Sequence, residues 1–261
     1  MDVNGKVALV TGAGSGIGRA AALLLAERGA RVACLSRTPE EIEAVVAEIE
    51  DGAKGRGMAV TADISKADEL TRAVEQVTAR WDRLDILFAN AGINGVWAPI
   101  EDLKPEEWEQ TISINLTGTF LTLRAAVPYL KRRGGSVIIT SSVNGTRMFS
   151  NVGASAYATS KAGQVAFAKM MALELAKHRV RVNVICPGAI ETEIDDSTER
   201  RNLEKAQEPV EFPEGQIPLT DGQSGSAEQV AQLVLFLASD ASSHISGAEI
   251  FIDGAQSLLQ G

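Results

Sequence analysis

The stretch from Val7 to Gly18 constrains the fold of this chain most strongly. Residues 7–11, Val-Ala-Leu-Val-Thr, form a short apolar run typical of a buried parallel strand, and Gly12-Ala-Gly-Ser-Gly-Ile-Gly18 follows it directly. Ala and Leu then recur at helical spacing from Arg19 to Arg28. A strand, a glycine loop and a helix in this order predict the first unit of an open α/β sheet.

The glycine spacing in this loop indicates a dinucleotide site. Gly12 permits a tight turn, Gly16 lets backbone amides approach a pyrophosphate, and Gly18 lets the helix pack close to the strand. The N-terminus of the helix then offers oriented N–H groups and the positive end of a dipole to the anion. A merely structural glycine turn could use the same residues, but the strand–loop–helix setting favours a dinucleotide.

Strand-like runs alternate with helical segments over the rest of the chain, and no linker or change of composition divides it. The later predicted strands are Arg31–Ser36, Met58–Thr61, Leu84–Ala89, Gly135–Ser142, Val180–Cys186 and Ala248–Ile252. The two longest predicted helices are Pro105–Leu130 and Ala156–His178. We expect one dinucleotide-binding and catalytic domain over residues 1–261, with a substrate lid at about 189–225, where the chain is polar and irregular.

Composition excludes several classes of function. The chain has 261 residues and a formal net charge of −9, so we expect no general attraction to nucleic acid or to an anionic membrane. Cys34 and Cys186 lie in apolar runs, which favours buried thiols, and His178 and His244 are isolated, which gives no metal signature. The sequence shows neither a signal peptide nor an apolar run near the ~18 residues of a membrane span. We therefore expect a cytoplasmic enzyme.

The end of the second predicted strand bears on which dinucleotide is bound. A carboxylate there would accept hydrogen bonds from a free ribose 2′-hydroxyl and would repel a 2′-phosphate. This chain has Ser36 and then Arg37, and a hydroxyl with a guanidinium suits a phosphate better. We expect NADP(H), with NAD(H) possible because Arg37 could equally be a solvated surface residue. Asp63 and Ile64, after the third strand, are placed to reach the adenine edge.

A phenol and an ammonium lie four residues apart in Tyr157-Ala-Thr-Ser-Lys161, at the head of a predicted helix, so they share one face of it. A phenol has a reference pKa near ~10 and needs a nearby cation to exchange a proton at neutral pH. Ser141 and Ser142, at the end of a predicted strand, could hold a carbonyl or alcohol oxygen beside it. Taken alone, the Tyr-x-x-x-Lys spacing could also be a chance amphipathic pair.

Two further amides are candidates for structural or catalytic roles. Asn115 falls in the apolar stretch Ile-Ser-Ile-Asn-Leu, where a buried amide needs partners, either backbone groups or a water leading to the catalytic group. Asn90-Ala91-Gly92 follows the fourth strand, and its small residues would let the chain pass close to a cofactor. Asn90 could hydrogen-bond neighbouring strands through its amide, although an ordinary strand-to-loop turn could have the same residues.

These motifs together resemble the short-chain dehydrogenase/reductase family, in particular its branch of 3-oxoacyl-carrier-protein reductases and small-sugar or alcohol dehydrogenases. The resemblance covers nearly the whole chain. Its marks are Thr11 to Gly18, Asp63, Asn90-Ala91-Gly92, Asn115, Ser142, Tyr157-x-x-x-Lys161, Pro187-Gly188 through Thr192 and the closing Ile245 to Gly254. It implies a Rossmann-type doubly wound sheet of about seven parallel strands with helices on both faces, and a homotetramer.

The resemblance also implies the residue roles. Tyr157 would be the general acid/base, and Lys161 would lower its pKa and hold the nicotinamide ribose. Ser142, which fits the family's Ser-x-x-Gly pattern better than Ser141, would orient the substrate oxygen, and Asn115 would anchor a water. The expected cofactor contacts are Gly12, Ser15, Gly16, Ile17, Gly18, Arg37, Asp63, Ile64, Asn90, Ala91, Gly92, Tyr157, Lys161, Pro187, Gly188, Ile190 and Thr192.

The chain departs from the family pattern at Ala89, Ser15 and Ala255, where relatives often carry Asn, Arg and Gly, and Ser15 weakens the expectation of NADP(H). The predicted function is the interconversion of a carbonyl and a secondary alcohol by hydride transfer, on a small-molecule substrate. One alternative is a 3-oxoacyl-carrier-protein reductase, whose acidic partner would dock on basic residues such as Arg124. The other is a catalytically idle dinucleotide-binding regulator.

Overall fold

The computed structural model describes residues 1–207 and 217–260, and a sheet of parallel strands lies at its centre. In chain order the strands are β1 Val7–Thr11, β2 Arg31–Ser36, β3 Gly57–Thr61, β4 Ile86–Ala89, β5 Gly95–Trp97, β6 Gly135–Thr140, β7 Val180–Pro187, β8 Thr198–Arg200 and β9 Glu249–Ile252. One parallel sheet has the order β3-β2-β1-β4-β6-β7-β9, and β5 pairs with β8 separately. The predicted doubly wound sheet of seven parallel strands is confirmed.

Helices cover both faces of this sheet. They are α1 Gly16–Glu27, α2 Pro39–Gly52, α3 Ala67–Trp81, α4 Pro105–Ile112, α5 Gly118–Leu130, α6 Ser155–Ala176, α7 Ala227–Ala238 and α8 Ser257–Gln260. Residues of α1, α2 and α7 form the core on one face, and residues of α3, α5 and α6 form the core on the other. Along β1, Ala8 and Val10 join the first core whereas Val7 and Leu9 join the second. Both faces are buried, which is why β1 reads as an unbroken apolar run.

The crevice for a ligand lies where the chain changes direction across the sheet. β1 lies between β2 and β4, and Leu9 pairs with Ala33 on one side and with Leu87 on the other. The loops after two such strands diverge and leave a gap at their carboxyl ends. The glycine loop after β1 and the Asn90 loop after β4 both open into this gap.

The predicted helix over Pro105–Leu130 is interrupted. Residues Ser113–Thr117 form a π-helical turn between α4 and α5. Such turns insert an extra residue into a helix and are frequent at functional sites. Here the turn contains the buried Asn115, whose carbonyl accepts hydrogen bonds from Thr119 Oγ1 (2.7 Å) and Gln164 Nε2 (2.9 Å). A simple 3.6-residue period in the sequence carries no sign of this insertion.

The predicted lid is more ordered than expected in its first part, while its residues 208–216 lie outside the described residues. It contains β8 and the short 3₁₀ segments Glu193–Ser197, Leu203–Lys205 and Pro218–Thr220. β8 places Arg200 beside Trp97 of β5. The next residue, Arg201, binds the Glu107 carboxylate on α4 at 2.6 Å. The lid is thereby tied to the loop after β4 and to α4.

Candidate active site

The glycines at positions 12 and 18 lie so close to neighbouring backbone that neither site has space for a side chain. Gly12 has a φ of +66°, and a Cβ there would lie 2.9 Å from the Cα of Ala91. A Cβ on Gly18 would collide with the carbonyl oxygen of Gly12, so the start of α1 could not lie so close to β1 with any larger residue. Gly16 has a φ of +49° and faces Thr192 at 3.1 Å. This cradle of bare backbone at the N-terminus of α1 fits a pyrophosphate group.

Asn90 holds together the strands that border the crevice. Its backbone N–H donates to Thr11 Oγ1 (3.0 Å), its side-chain amide donates to the carbonyl of Thr11 (3.3 Å), and its Oδ1 accepts from Thr140 Oγ1 (3.0 Å). One side chain thus connects the ends of β1, β4 and β6. The amide tie that the sequence suggested is present, and Ala91 and Gly92 line the crevice beside it.

Tyr157 and Lys161 lie on consecutive turns at the start of α6 and line the same cleft. Lys161 Nζ is 5.5 Å from the centre of the Tyr157 ring and donates to the Thr140 carbonyl at 2.9 Å. Lys161 is only 3% exposed, and burial lowers its pKa to about 8. The two groups are therefore neighbours, as the spacing predicted.

The expected lowering of the Tyr157 pKa is not found in this geometry. Burial raises the pKa of the phenol above its ordinary value, and the nearby Ser142 hydroxyl lowers it by less. The expectation considered the cation and omitted the loss of water around a buried phenol, which acts in the opposite direction. At neutral pH this phenol keeps its proton.

Ser141 and Ser142 are adjacent, yet their hydroxyls face different partners. Ser141 Oγ donates to the backbone carbonyl of Lys161 at 2.8 Å and so holds β6 against α6. Ser142 Oγ accepts from the Asn144 N–H at 3.1 Å, and Ser142 lines the cleft on the same side as Tyr157. The choice of Ser142 over Ser141 agrees with this arrangement.

Asn115 binds the backbone beside Gly92 and close to Lys161. Its Oδ1 accepts from the Ile93 N–H at 2.9 Å, and its Nδ2 donates to the Ile93 carbonyl (2.9 Å) and to Ser160 Oγ (3.0 Å). A Cβ on Gly92 would lie 3.1 Å from Asn115 Oδ1 and 3.5 Å from Lys161 Nζ. Of the two roles that the sequence left open, the geometry favours the structural amide, because every Asn115 N–H is used by protein partners.

A second lobe of the crevice lies beyond the glycine loop. Ser36, Arg37, Asp63 and Ile64 line it together, as predicted. Partial burial raises the pKa of Asp63, but hydrogen bonds from Ser65 and the nearby cations Arg37 and Lys66 outweigh it, so that pKa lies below its usual range. Arg37 therefore faces a carboxylate at the edge of the lobe.

Several lining residues were missed by sequence reasoning. The second lobe is lined, beside Arg37, by three carboxylates, Glu41, Glu193 and Asp196. The sequence pattern did not indicate this, because α2 and the lid approach Arg37 only in the folded chain. Gln256, after β9, lines the cleft on the far side of Tyr157, as does Asn144. Asn94, Trp97 and Met148 line this cleft too. These residues come from separate segments that meet only in the folded chain.

Among the described residues, no helix is long and apolar enough to cross a membrane, and no cluster of His, Cys, Asp and Glu could hold a metal ion. The family model described as short chain dehydrogenase matches residues 6–203. The chain belongs to the short-chain dehydrogenase family. It is thus an oxidoreductase that acts on CH–OH groups and binds a nicotinamide dinucleotide.

Individual relatives span almost the whole chain. It is similar to a 3-oxoacyl-[acyl-carrier-protein] reductase of Thermotoga maritima, with 40% identity over 97% of this chain and 98% of the relative. It is also similar to a D-threitol dehydrogenase of Mycolicibacterium smegmatis, with 35% identity over 98% and 94%. A crystal structure of a 3-ketoacyl-ACP reductase from Sinorhizobium meliloti 1021 matches with a TM-score of 0.92 and 55% identity, over 97% of this chain and 99% of that chain.

Proposed function

We propose that the protein interconverts a carbonyl and a secondary alcohol with NADP(H), using Tyr157 as the general acid/base. The observation that carries this proposal is the convergence of Ser142, Tyr157 and Lys161 on one cleft that continues into the glycine cradle. Proton transfer and dinucleotide binding thereby share one space. An idle regulator would have no use for this convergence.

The residues divide the chemistry of the reduction among them. A bound nicotinamide supplies the hydride to the carbonyl carbon. The Ser142 hydroxyl donates a hydrogen bond to the carbonyl oxygen, and Tyr157, protonated at neutral pH, gives its proton to that oxygen as the alcohol forms. Lys161, as a buried cation 5.5 Å from the ring, stabilises the phenolate that remains. Oxidation of the alcohol runs through the same steps in reverse.

The dinucleotide would extend along the crevice from the glycine cradle to Tyr157. The pyrophosphate would lie on the backbone of Gly12 to Gly18, and the adenosine would reach Asp63 and Ile64. Pro187, Gly188, Ile190 and Thr192 line the nicotinamide end. Arg37 supports a preference for NADP(H), since its guanidinium can bind a 2′-phosphate with paired donors. Glu41 in the same lobe opposes that preference, so NAD(H) remains the alternative cofactor.

The assembly and the location are further parts of the proposal. Phe120 on α5 and Met170 and Leu173 on α6 are exposed apolar side chains on helices that this family commonly buries between subunits. They support a homotetramer of single-domain subunits in the cytoplasm. The names of two relatives favour a second candidate within the class, a 3-oxoacyl-carrier-protein reductase.

Fluorescence titration with NADPH and NADH, followed by a carbonyl panel, tests the proposed function. We expect tighter binding of NADPH and ketone-dependent oxidation of it. Tyr157→Phe should lower turnover by at least about a hundredfold while dinucleotide binding stays within about twofold of the wild type, because only the proton donor is lost. Unchanged turnover in this variant would remove Tyr157 from the mechanism.

A further inference from the structure

The cleft beyond Tyr157 has a lining that differs in character from the dinucleotide crevice. It encloses about 790 Å³ and is lined by five amide side chains and by the carboxylates of Glu191 and Asp195, with no Lys, Arg or His among its described lining residues. Trp97, Met148 and Ile190 give it apolar surface as well. A pocket of this kind favours an uncharged ligand that carries several hydrogen-bonding groups.

Gln256 presents a fixed donor to this cleft. The side chain is 8% exposed, and its Oε1 accepts from the Ala189 N–H at 2.8 Å, which fixes the orientation of the amide. Its Nε2 donates to no acceptor among the described residues, and it is not one of the buried polar atoms that lack a partner there. The NH₂ group therefore reaches the space of the cleft. It is a donor held in place before any substrate arrives.

Asn94 presents the complementary acceptor. Its Nδ2 donates to Thr198 Oγ1 at 2.7 Å and to Asp195 Oδ1 at 3.3 Å, so the lid fixes this amide with its nitrogen turned away. The side chain is 6% exposed, and its Oδ1 is likewise absent from the buried atoms without a partner in the described chain. The carbonyl oxygen is therefore left to accept a hydrogen bond in the cleft that Asn94 lines.

We propose that the substrate carries, beside the reacting carbonyl or carbinol, a further uncharged hydroxyl that Gln256 and Asn94 recognise. This inference rests on the proposed function and names its substrate class as hydroxyketones and the matching diols or polyols. A hydroxyl accepts one hydrogen bond and donates another, so a fixed donor and a fixed acceptor suit it. A substrate without that hydroxyl would leave the fixed donor and the fixed acceptor without a ligand partner, and a site built to hydrogen-bond a hydroxyl rejects the analogue that lacks it.

Charge at the cleft argues against an anionic substrate. Glu191 and Asp195 line it. Glu193 and Asp196 of the same lid line the second lobe of the dinucleotide crevice and add to the negative charge of this region. The lid cation Arg200 lies 3.8 Å from Asp195 and 5.4 Å from the centre of the Trp97 ring, so its charge is opposed locally. A phosphopantetheine thioester on an acidic carrier protein would approach these carboxylates against repulsion. A neutral free molecule meets no such barrier.

A matched pair of ketones tests the inference. With the preferred dinucleotide, kcat/KM for acetoin should exceed that for butan-2-one, which lacks only the hydroxyl, by at least about tenfold. Acetoacetate and an acetoacetyl thioester should be poorer than both. Equal or better turnover of butan-2-one or of the thioester would overturn the inference and leave the proposed function standing. A protein that binds the dinucleotide but turns over no ketone or alcohol would overturn both.

Variants at Gln256 give a second, independent measurement. Gln256→Glu keeps an acceptor for the Ala189 N–H but replaces the NH₂ donor, so the acetoin to butan-2-one ratio of kcat/KM should fall at least about fivefold. Gln76→Glu adds the same charge at an exposed amide on α3, outside the lining of the cleft, and should leave the ratio within about twofold. Gln256→Met repeats the test without a charge. Ratios that change equally in the Gln256 and Gln76 variants would overturn the role of Gln256.

Discussion

Lys161 Nζ donates a 2.9 Å hydrogen bond to the carbonyl oxygen of Thr140, the last residue of β6. This bond holds the ammonium at the edge of the sheet, beneath the cleft and within 5.5 Å of the Tyr157 ring centre. Burial lowers the pKa of this amine from 10.5 to about 8. Burial therefore disfavours the ammonium form that the proposed mechanism uses, and folding stability should depend on pH for this reason.

Lys161→Met should reveal that signature. Between about pH 8 and 10.5, Lys161 is protonated in the unfolded chain and largely neutral in the folded one. The unfolded state then binds more protons, so the contribution of Lys161 to stability rises with pH across this window and is flat below it. The difference in the free energy of unfolding, wild type minus Lys161→Met, should therefore increase by about 1 kcal/mol per pH unit within the window.

Urea unfolding of both proteins at several values from pH 7 to pH 10 measures this difference. Lys177→Met, an exposed position at the end of α6, provides the control for loss of a lysine from the same helix. A difference between wild type and Lys161→Met that stays constant from pH 7 to pH 10 would contradict the lowered pKa.

Gly18→Ala tests the close contact of α1 with the glycine loop. A Cβ at this position meets the carbonyl oxygen of Gly12, so α1 must shift and the pyrophosphate cradle must open. We expect a loss of about 1–3 kcal/mol in the free energy of unfolding and at least about tenfold weaker dinucleotide binding. Thermal unfolding and fluorescence titration measure the two effects.

Gly52→Ala is the matched control for that substitution. Gly52 ends α2 and has nothing within 4 Å of the place where its Cβ would lie. The variant should bind the dinucleotide as the wild type does and should be as stable or slightly more stable. If Gly18→Ala behaves like Gly52→Ala, the collision with Gly12 does not limit the site.

Arg37→Asp tests the proposed cofactor preference. The substitution replaces the only guanidinium among the described lining residues of the second lobe by a carboxylate, beside Glu41 and Asp63. The carboxylate would repel a 2′-phosphate and accept from a free 2′-hydroxyl, so the ratio of NADPH to NADH affinity should fall by about tenfold or more. Titration of both dinucleotides measures the ratio.

Arg31→Asp makes the same charge change at the opposite end of β2, where the side chain is exposed. It should leave the ratio of affinities unchanged. An equal shift in the two variants would assign the effect to net charge and not to a contact made by Arg37.

The sequence predicted those features that depend on local pattern. One contiguous stretch of sequence forms β1, the glycine loop and α1, so its pattern was sufficient to predict a doubly wound sheet and the position of the ligand crevice. Tyr157 and Lys161 share a helix face for the same reason. The parallel sheet was predicted because its buried strands read as apolar runs, and the structure confirms it.

Features that depend on contacts between distant segments were not predicted. Asn115, in the π-helical turn, binds the backbone of Ile93, which lies 22 residues earlier in the chain. The pairing of β5 with β8 likewise joins two distant segments. Gln256 reaches the cleft only because Ala189 and the turn after β9 meet. The raised pKa of Tyr157 follows from its burial by many neighbours. The spacing between Tyr157 and Lys161 in the sequence gives no information about that burial.

The adjacent residues Ser141 and Ser142 allow the proposed catalytic role of one hydroxyl to be compared with the structural role of the other. Ser142→Ala removes the group that faces the cleft beside Tyr157, so kcat should fall about a hundredfold or more while the thermal midpoint changes little. Ser141→Ala removes the 2.8 Å bond to the Lys161 carbonyl and leaves that buried acceptor without it. Stability should then fall by about 1 kcal/mol with kcat within about threefold of the wild type.

Steady-state kinetics with a ketone and thermal unfolding, measured on both alanine variants, distinguish the two effects because each variant serves as the control for the other. The substitutions remove the same atom from neighbouring residues, so a general effect of losing a buried hydroxyl would appear in both. If Ser141→Ala loses turnover as severely as Ser142→Ala, the substrate oxygen is not held by Ser142 alone, and the division of roles inferred from the Lys161 contact is wrong.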